Sequence, residues 1–89
     1  MKITKDSIVV EKIRAINKGN LKGFAKIKVA GIVIDDIRIV QQRDQQPWIS
    51  GPQREYEYHG ERKFAPIVSF DDDTKNVIQD VVLEAWRRS

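Results

Sequence analysis

LKGFAKIKVAGIVIDDIRIV, residues Leu21 to Val40, holds two strands and the turn between them. Leu21, Gly23, Ala25, Ile27 and Val29 alternate with Lys22, Phe24, Lys26 and Lys28. That is the period of a strand with one apolar face and one basic face. Ala30-Gly31 makes a tight connection to the next strand. From Ile32 to Val40 the alternation breaks: Ile32 and Ile34 are in phase, Ile37 and Ile39 are in phase, and the two pairs are out of phase with each other. A β-bulge at Asp35-Asp36 places all four on one face. The alternative is a central strand that is apolar on both sides.

The flanking segments extend this unit. Ser7 to Ile16, SIVVEKIRAI, is rich in β-branched residues and predicts a strand, with Val9, Ile13 and Ala15 sharing a face with Glu11. Asn17 to Asn20 predicts a turn in which Gly19 takes positive φ. The three strands form an antiparallel meander. Trp48 to Gly51 predicts a short fourth strand, bracketed by Pro47 and Pro52 as at a sheet edge. Tyr56 to Phe64 predicts a hairpin with His59-Gly60 at its tip, and Ala65 to Val68 leads out of it. At the C-terminus, Val77, Ile78, Val81, Val82, Ala85 and Trp86 recur at helical spacing. Asp71, Asp72 and Asp73 suit the positive end of that helix and Arg87 and Arg88 its negative end. The expected fold is α+β: a twisted antiparallel sheet, meander plus hairpin, with a C-terminal helix packed on it.

The 89 residues make one domain, 1–89. A chain of this size buries roughly 60–65% of the surface it exposes unfolded, so a dimer would cover apolar area that one copy leaves open. The absence of cysteine excludes disulfides, thiol catalysis and thiolate metal sites. MKITKDSIVVEKIR has no uninterrupted apolar core and is not expected to act as a signal peptide; no apolar run reaches the length of a membrane span. The expected location is the cytoplasm. The net charge of +3 is unevenly spread: residues 1–43 carry ten Lys/Arg against four Asp/Glu, and residues 44–89 six against nine. A basic sheet face attracts nucleic acid, although lysines on a strand also serve to block edge-to-edge aggregation.

Candidate chemistry is sparse. His59 is the single histidine and lies at a turn tip without partners for a metal site or a triad. Asp71 to Asp73 are accounted for by helix capping; a magnesium-type cluster would need oxygen ligands or a phosphate loop that the chain lacks. Asp35 and Asp36 are neighbours on a strand and are not expected to converge on a cleft; Asp36 is expected to pair with Arg38 or a hairpin arginine. No catalytic residue and no cofactor are expected. Lys22, Lys26 and Lys28 share a strand face with Phe24, while Arg54, Arg62 and Lys63 are interleaved with Tyr56, Tyr58 and Phe64 in the hairpin. Cations hold phosphates and aromatic rings stack on unpaired bases, so these residues are the candidate nucleic-acid surface. Glu55, Glu57 and Glu61 lie among them and offset part of the hairpin's charge.

Four segments, in order, resemble the stage V sporulation protein G (SpoVG) family of bacterial septation and regulatory proteins. These are the meander from Ser7 to Val29, Ile34-Asp35-Asp36-Ile37-Arg38-Ile39, Trp48-Ile49-Ser50-Gly51-Pro52 with a second proline-aliphatic step at Pro66-Ile67, and Ile78-Gln79-Asp80-Val81-Val82-Leu83. The resemblance implies an α+β homodimer formed through the sheet. It also implies a cytoplasmic DNA- or RNA-binding regulator of septation, sporulation or gene expression, without a cofactor. The family's basic positions after the first proline correspond to Arg54 here and, before the second, to Arg62 or Lys63. Gln53 and Glu55 depart from that pattern, Glu55 where a base is usual. The other expectation is a protein–protein adaptor of the division or sporulation machinery, since Tyr and Arg are favoured interface anchors.

Overall fold

The computed structural model describes residues 3–89. After a 3-10 turn at Lys5–Ser7, the chain forms β1 (Ile8–Lys18), β2 (Leu21–Val29), β3 (Ile32–Val40) and β4 (Trp48–Ser50). These pair antiparallel in the order β1-β2-β3-β4. β5 (Gln53–Tyr58) and β6 (Glu61–Pro66) form a separate two-stranded sheet, and α1 (Asp72–Arg88) closes the chain. The architecture is α+β, with one helix packed on the four-stranded sheet.

Two places explain the register of β3 on β2. The turn between β2 and β3 is Ala30-Gly31, with φ of 51° and 80°. Positive φ at both central residues is the geometry whose twist matches a two-residue hairpin. The bulge expected in β3 is present: Ala25 pairs with Ile37 and Ile27 with Ile34, so β3 holds one extra residue at Asp35-Asp36. Asp36 takes φ 58°, and its N–H donates to Asp35 Oδ1 at 2.8 Å. The bulge puts Ile34, Ile37 and Ile39 in phase with the inner face of β2, as a single-face strand requires. Ile32 is in the same phase, paired with Val29, but it is 63% exposed because the core does not extend to that end of the sheet.

In β1 the expected face differs. Val10 pairs with Ile27 and Lys12 with Lys26, so Glu11 is the extra residue of a second bulge. Ile8, Val10, Ile13 and Ala15 therefore share the inner face, while Val9 turns outward and is 58% exposed. Periodicity alone joined Val9 to Ile13 because it counted through Glu11 as an ordinary strand residue. β1 also runs two residues past Ile16, so the turn narrows to Gly19-Asn20, with Gly19 at φ 65°.

The core consists of Ile8, Ala25, Ile27, Val29, Ile37, Ile39 and Ile49 from the sheet and Ile78, Val82 and Leu83 from α1. Val77, Val81 and Trp86 pack at its margin. Leu83 lies outside the apolar positions picked by helical spacing yet is buried. Asp71 caps α1 by accepting from the Thr74 N–H at 2.8 Å. Hydrogen bonding from the Thr74 side chain, and then from its backbone, holds the Asp71 carboxyl below its ordinary pKa. The helix also tends the short edge strand: Gln79 Oε1 accepts the Ile49 N–H at 3.1 Å, and the Lys75 ammonium lies 5.9 Å from the Trp48 ring centroid. Among the described residues, no helix is long and apolar enough to cross a membrane.

Candidate nucleic-acid interface

The hairpin is set up by its turn. His59 and Gly60 take φ of 52° and 78°, which closes β5 onto β6 with a two-residue loop. At its base the Ile67 N–H donates to Pro52 O at 2.8 Å. β5 is exposed at every position and β6 at all but Ala65. This unit therefore stands away from the core, and its side chains divide strictly by register.

Cross-strand pairs share a face in an antiparallel ladder. Arg54 pairs with Ala65, Tyr56 with Lys63, and Tyr58 with Glu61. One face thus carries Arg54, Tyr56, Tyr58 and Lys63. The cations lie on the rings: the Arg54 guanidinium is 5.7 Å from the Tyr56 centroid and the Lys63 ammonium 5.6 Å from that of Tyr58. The other face carries Glu55, Glu57, Arg62 and Phe64. There Arg62 is ion-paired with Glu55. Four of the hairpin residues singled out by sequence are brought together, and Arg62 is not among them. The same segregation removes Glu55 and Glu57 from the basic-aromatic face, leaving Glu61 at its tip. His59 packs edge-on against Tyr58, with ring centroids 4.2 Å apart.

The second basic surface is the outer face of the four-stranded sheet, opposite α1. Lys26 and Lys28 lie there with Phe24, as the alternation in β2 predicts. Lys22 behaves differently. It sits at a break in the pairing to both neighbours, and its ammonium donates to Asn17 Oδ1 at 3.1 Å. Three further cations join the face. Lys12 is directly opposite Lys26, and Phe24 lies between Arg14 on β1 and Arg38 on β3. Lys12 and Arg14 alternate in the sequence, but the bulge at Glu11 had to be known before their neighbours on β2 could be assigned. The expected ion pair of Asp36 with Arg38 or a hairpin arginine does not form among the described residues, because the left-handed turn at Asp36 takes its side chain out of simple strand alternation. A depression of about 320 Å³ on this face is lined by Lys12, Arg14, Phe24 and Lys26 and also by Asp35 and Asp36.

Lys12, Arg14, Lys26, Lys28 and Arg38 enter no ion pair among the described residues. Like charges directly opposite each other weaken a sheet. A face that keeps Lys12 against Lys26 is therefore disposed to take up an anion from outside. Comparison of the chain with protein-family models, with curated proteins and with solved structures gave no match.

Proposed function

We propose that this protein is a non-catalytic nucleic-acid-binding regulator that works as a homodimer in the cytoplasm, similar in kind to the stage V sporulation protein G family and so concerned with septation, sporulation or gene expression. The observation that carries the reading is the sorting of the hairpin, with Arg54, Tyr56, Tyr58 and Lys63 on one face and the Arg62–Glu55 pair on the other. The cations of the first face neutralise backbone phosphates and release counterions; the tyrosines offer surfaces for unpaired bases. The sheet face adds Lys26 and Lys28, with Lys22 at its end. Contacts of this number give weak binding per copy, on the order of 10⁻⁴–10⁻⁶ M at physiological salt. Joining two copies raises the strength through effective concentration.

Fluorescence anisotropy with labelled single- and double-stranded DNA and RNA at about 50 and 200 mM salt tests this reading. Binding that collapses at the higher salt supports it. Arg54→Glu is expected to weaken binding about tenfold or more, whereas Arg62→Glu leaves it within about twofold, because Arg62 faces away and is already neutralised. No binding to any of the four probes at the lower salt would overturn it. The reading that would then lead is a protein–protein adaptor. It draws on the acidic hairpin face, where Phe64 is 55% exposed opposite Glu55, and Ile67 just beyond is 62% exposed.

A further inference from the structure

We propose that the outer face of the four-stranded sheet is a stacking platform for single-stranded nucleic acid, with an unpaired base on Phe24 and the flanking phosphates held by Arg14 and Arg38. This rests on the nucleic-acid reading above and deepens it, assigning the sheet face's part to Phe24, Arg14 and Arg38 and a strandedness to the ligand. The argument begins with register. Phe24 is directly opposite Arg14 on one side and Arg38 on the other. Adjacent strands are about 4.8 Å apart, so the two guanidinium stems straddle the ring at one level of the sheet. One step along, Lys12 faces Lys26. The ring is partly exposed, on an inner strand, in the depression that Lys12, Arg14 and Lys26 line with it, and Arg38 stands beside it on β3.

An aromatic side chain placed on the solvent face of a basic sheet has no core to fill. Phe24 points away from Ile27, Ile37 and Ile39, which hold the core on the other side. Arginine on both flanks suits phosphate, since the guanidinium fork matches its oxygens. A base must leave its stack to meet the ring, which a single strand does readily and an intact duplex does not. Asp35 and Asp36 line the β3 side of the depression and repel a backbone that strays across them. They therefore direct the strand over Arg14, Phe24 and Arg38.

The test uses labelled oligo-dT and oligo-U of 20 nucleotides and a 20-base-pair duplex, titrated against the full chain. Phe24→Leu keeps an apolar side chain and removes the ring; Phe24→Tyr restores it. The expected result is about tenfold weaker binding of single strands by Phe24→Leu, rescue by Phe24→Tyr, and unchanged duplex binding. Arg14→Ala with Arg38→Ala should lower the slope of log K against log salt by about 1.4 for single strands, as two lost phosphate contacts predict. Thermal melts of each variant establish that the fold is retained; Phe24→Leu and the double arginine variant report independently. If Phe24→Leu and the arginine pair leave single-strand binding unchanged while Arg54→Glu abolishes it, the platform is wrong and the hairpin reading stands. If the unaltered protein binds none of the probes, both fail.

Discussion

Gly23 and Asp71 illustrate how much a single residue holds in place. Gly23 lies on the inner face between Ala15 and Ile39, where a Cβ would stand 2.8 Å from the backbone oxygen of Arg14. Backbone cannot swing aside as a side chain can, so β1 would have to move off β2. Gly23→Ala is expected to cost about 1–3 kcal/mol, read as a lower midpoint in urea unfolding with unchanged slope. Asp71 acts through its ionised form. Its folded pKa is depressed by bonding from Thr74, so its contribution is complete above the unfolded carboxylate range and is lost as pH falls through the folded pKa. Asp71→Ala should lower the melting temperature by a few degrees at neutral pH, and the deficit should shrink in acid below the folded pKa. A deficit that stayed constant into strong acid would show that the cap does not depend on the charge.

At the scale of elements, the hairpin is the least supported part of the molecule. An isolated two-stranded ribbon is marginal in water, and this one has no core residue on either strand. Its stability rests on the His59-Gly60 turn and on cross-strand pairs such as Arg62 with Glu55. His59 occupies a left-handed position that asparagine accepts more readily. His59→Asn is therefore expected to slow amide hydrogen exchange in β5 and β6 without changing nucleic-acid affinity by more than about twofold. Faster exchange in the variant would mean that the stacking of His59 on Tyr58 matters more than the turn. In the parent protein these amides should exchange well before those of β2 and β3, and gain protection when a ligand or partner is bound.

For the whole molecule the questions are covering and charge. Val9, Ile32, Val33, Phe64 and Ile67 are each half or more exposed in a chain of 89 residues. Such area left open by a small fold is what association hides. Sedimentation equilibrium is expected to give twice the mass of one chain at micromolar concentration; a mass that stays at one chain would remove the homodimer from the proposal. The dimension of the molecule agrees with a body and a projecting arm, at 44 × 31 × 21 Å. The proposed dimer would place two arms and two basic sheet faces in one particle, and the affinity proposed for an extended strand would then depend on their spacing as well as their charge.

The sequence by itself determined the elements and most of their partners. Strict alternation in Leu21–Val29, the phase break at Asp35-Asp36, the His59-Gly60 tip and the helical spacing after Asp71 each reflect a local preference, and local preferences are written in neighbouring residues. The basic residues of the hairpin and of β2 were legible for the same reason. Tertiary structure alone decided which of them act together. The bulge at Glu11 reset the phase of β1 and brought Arg14 beside Phe24. Cross-strand pairing sent Arg62 to the far side of the hairpin and Glu55 with it. Leu83 became core because it joins Ile78 and Val82 in the cluster that α1 forms with the sheet, a contact that spacing along one helix does not contain. Register and packing join residues distant in the chain, and a one-residue shift in register reverses every face beyond it.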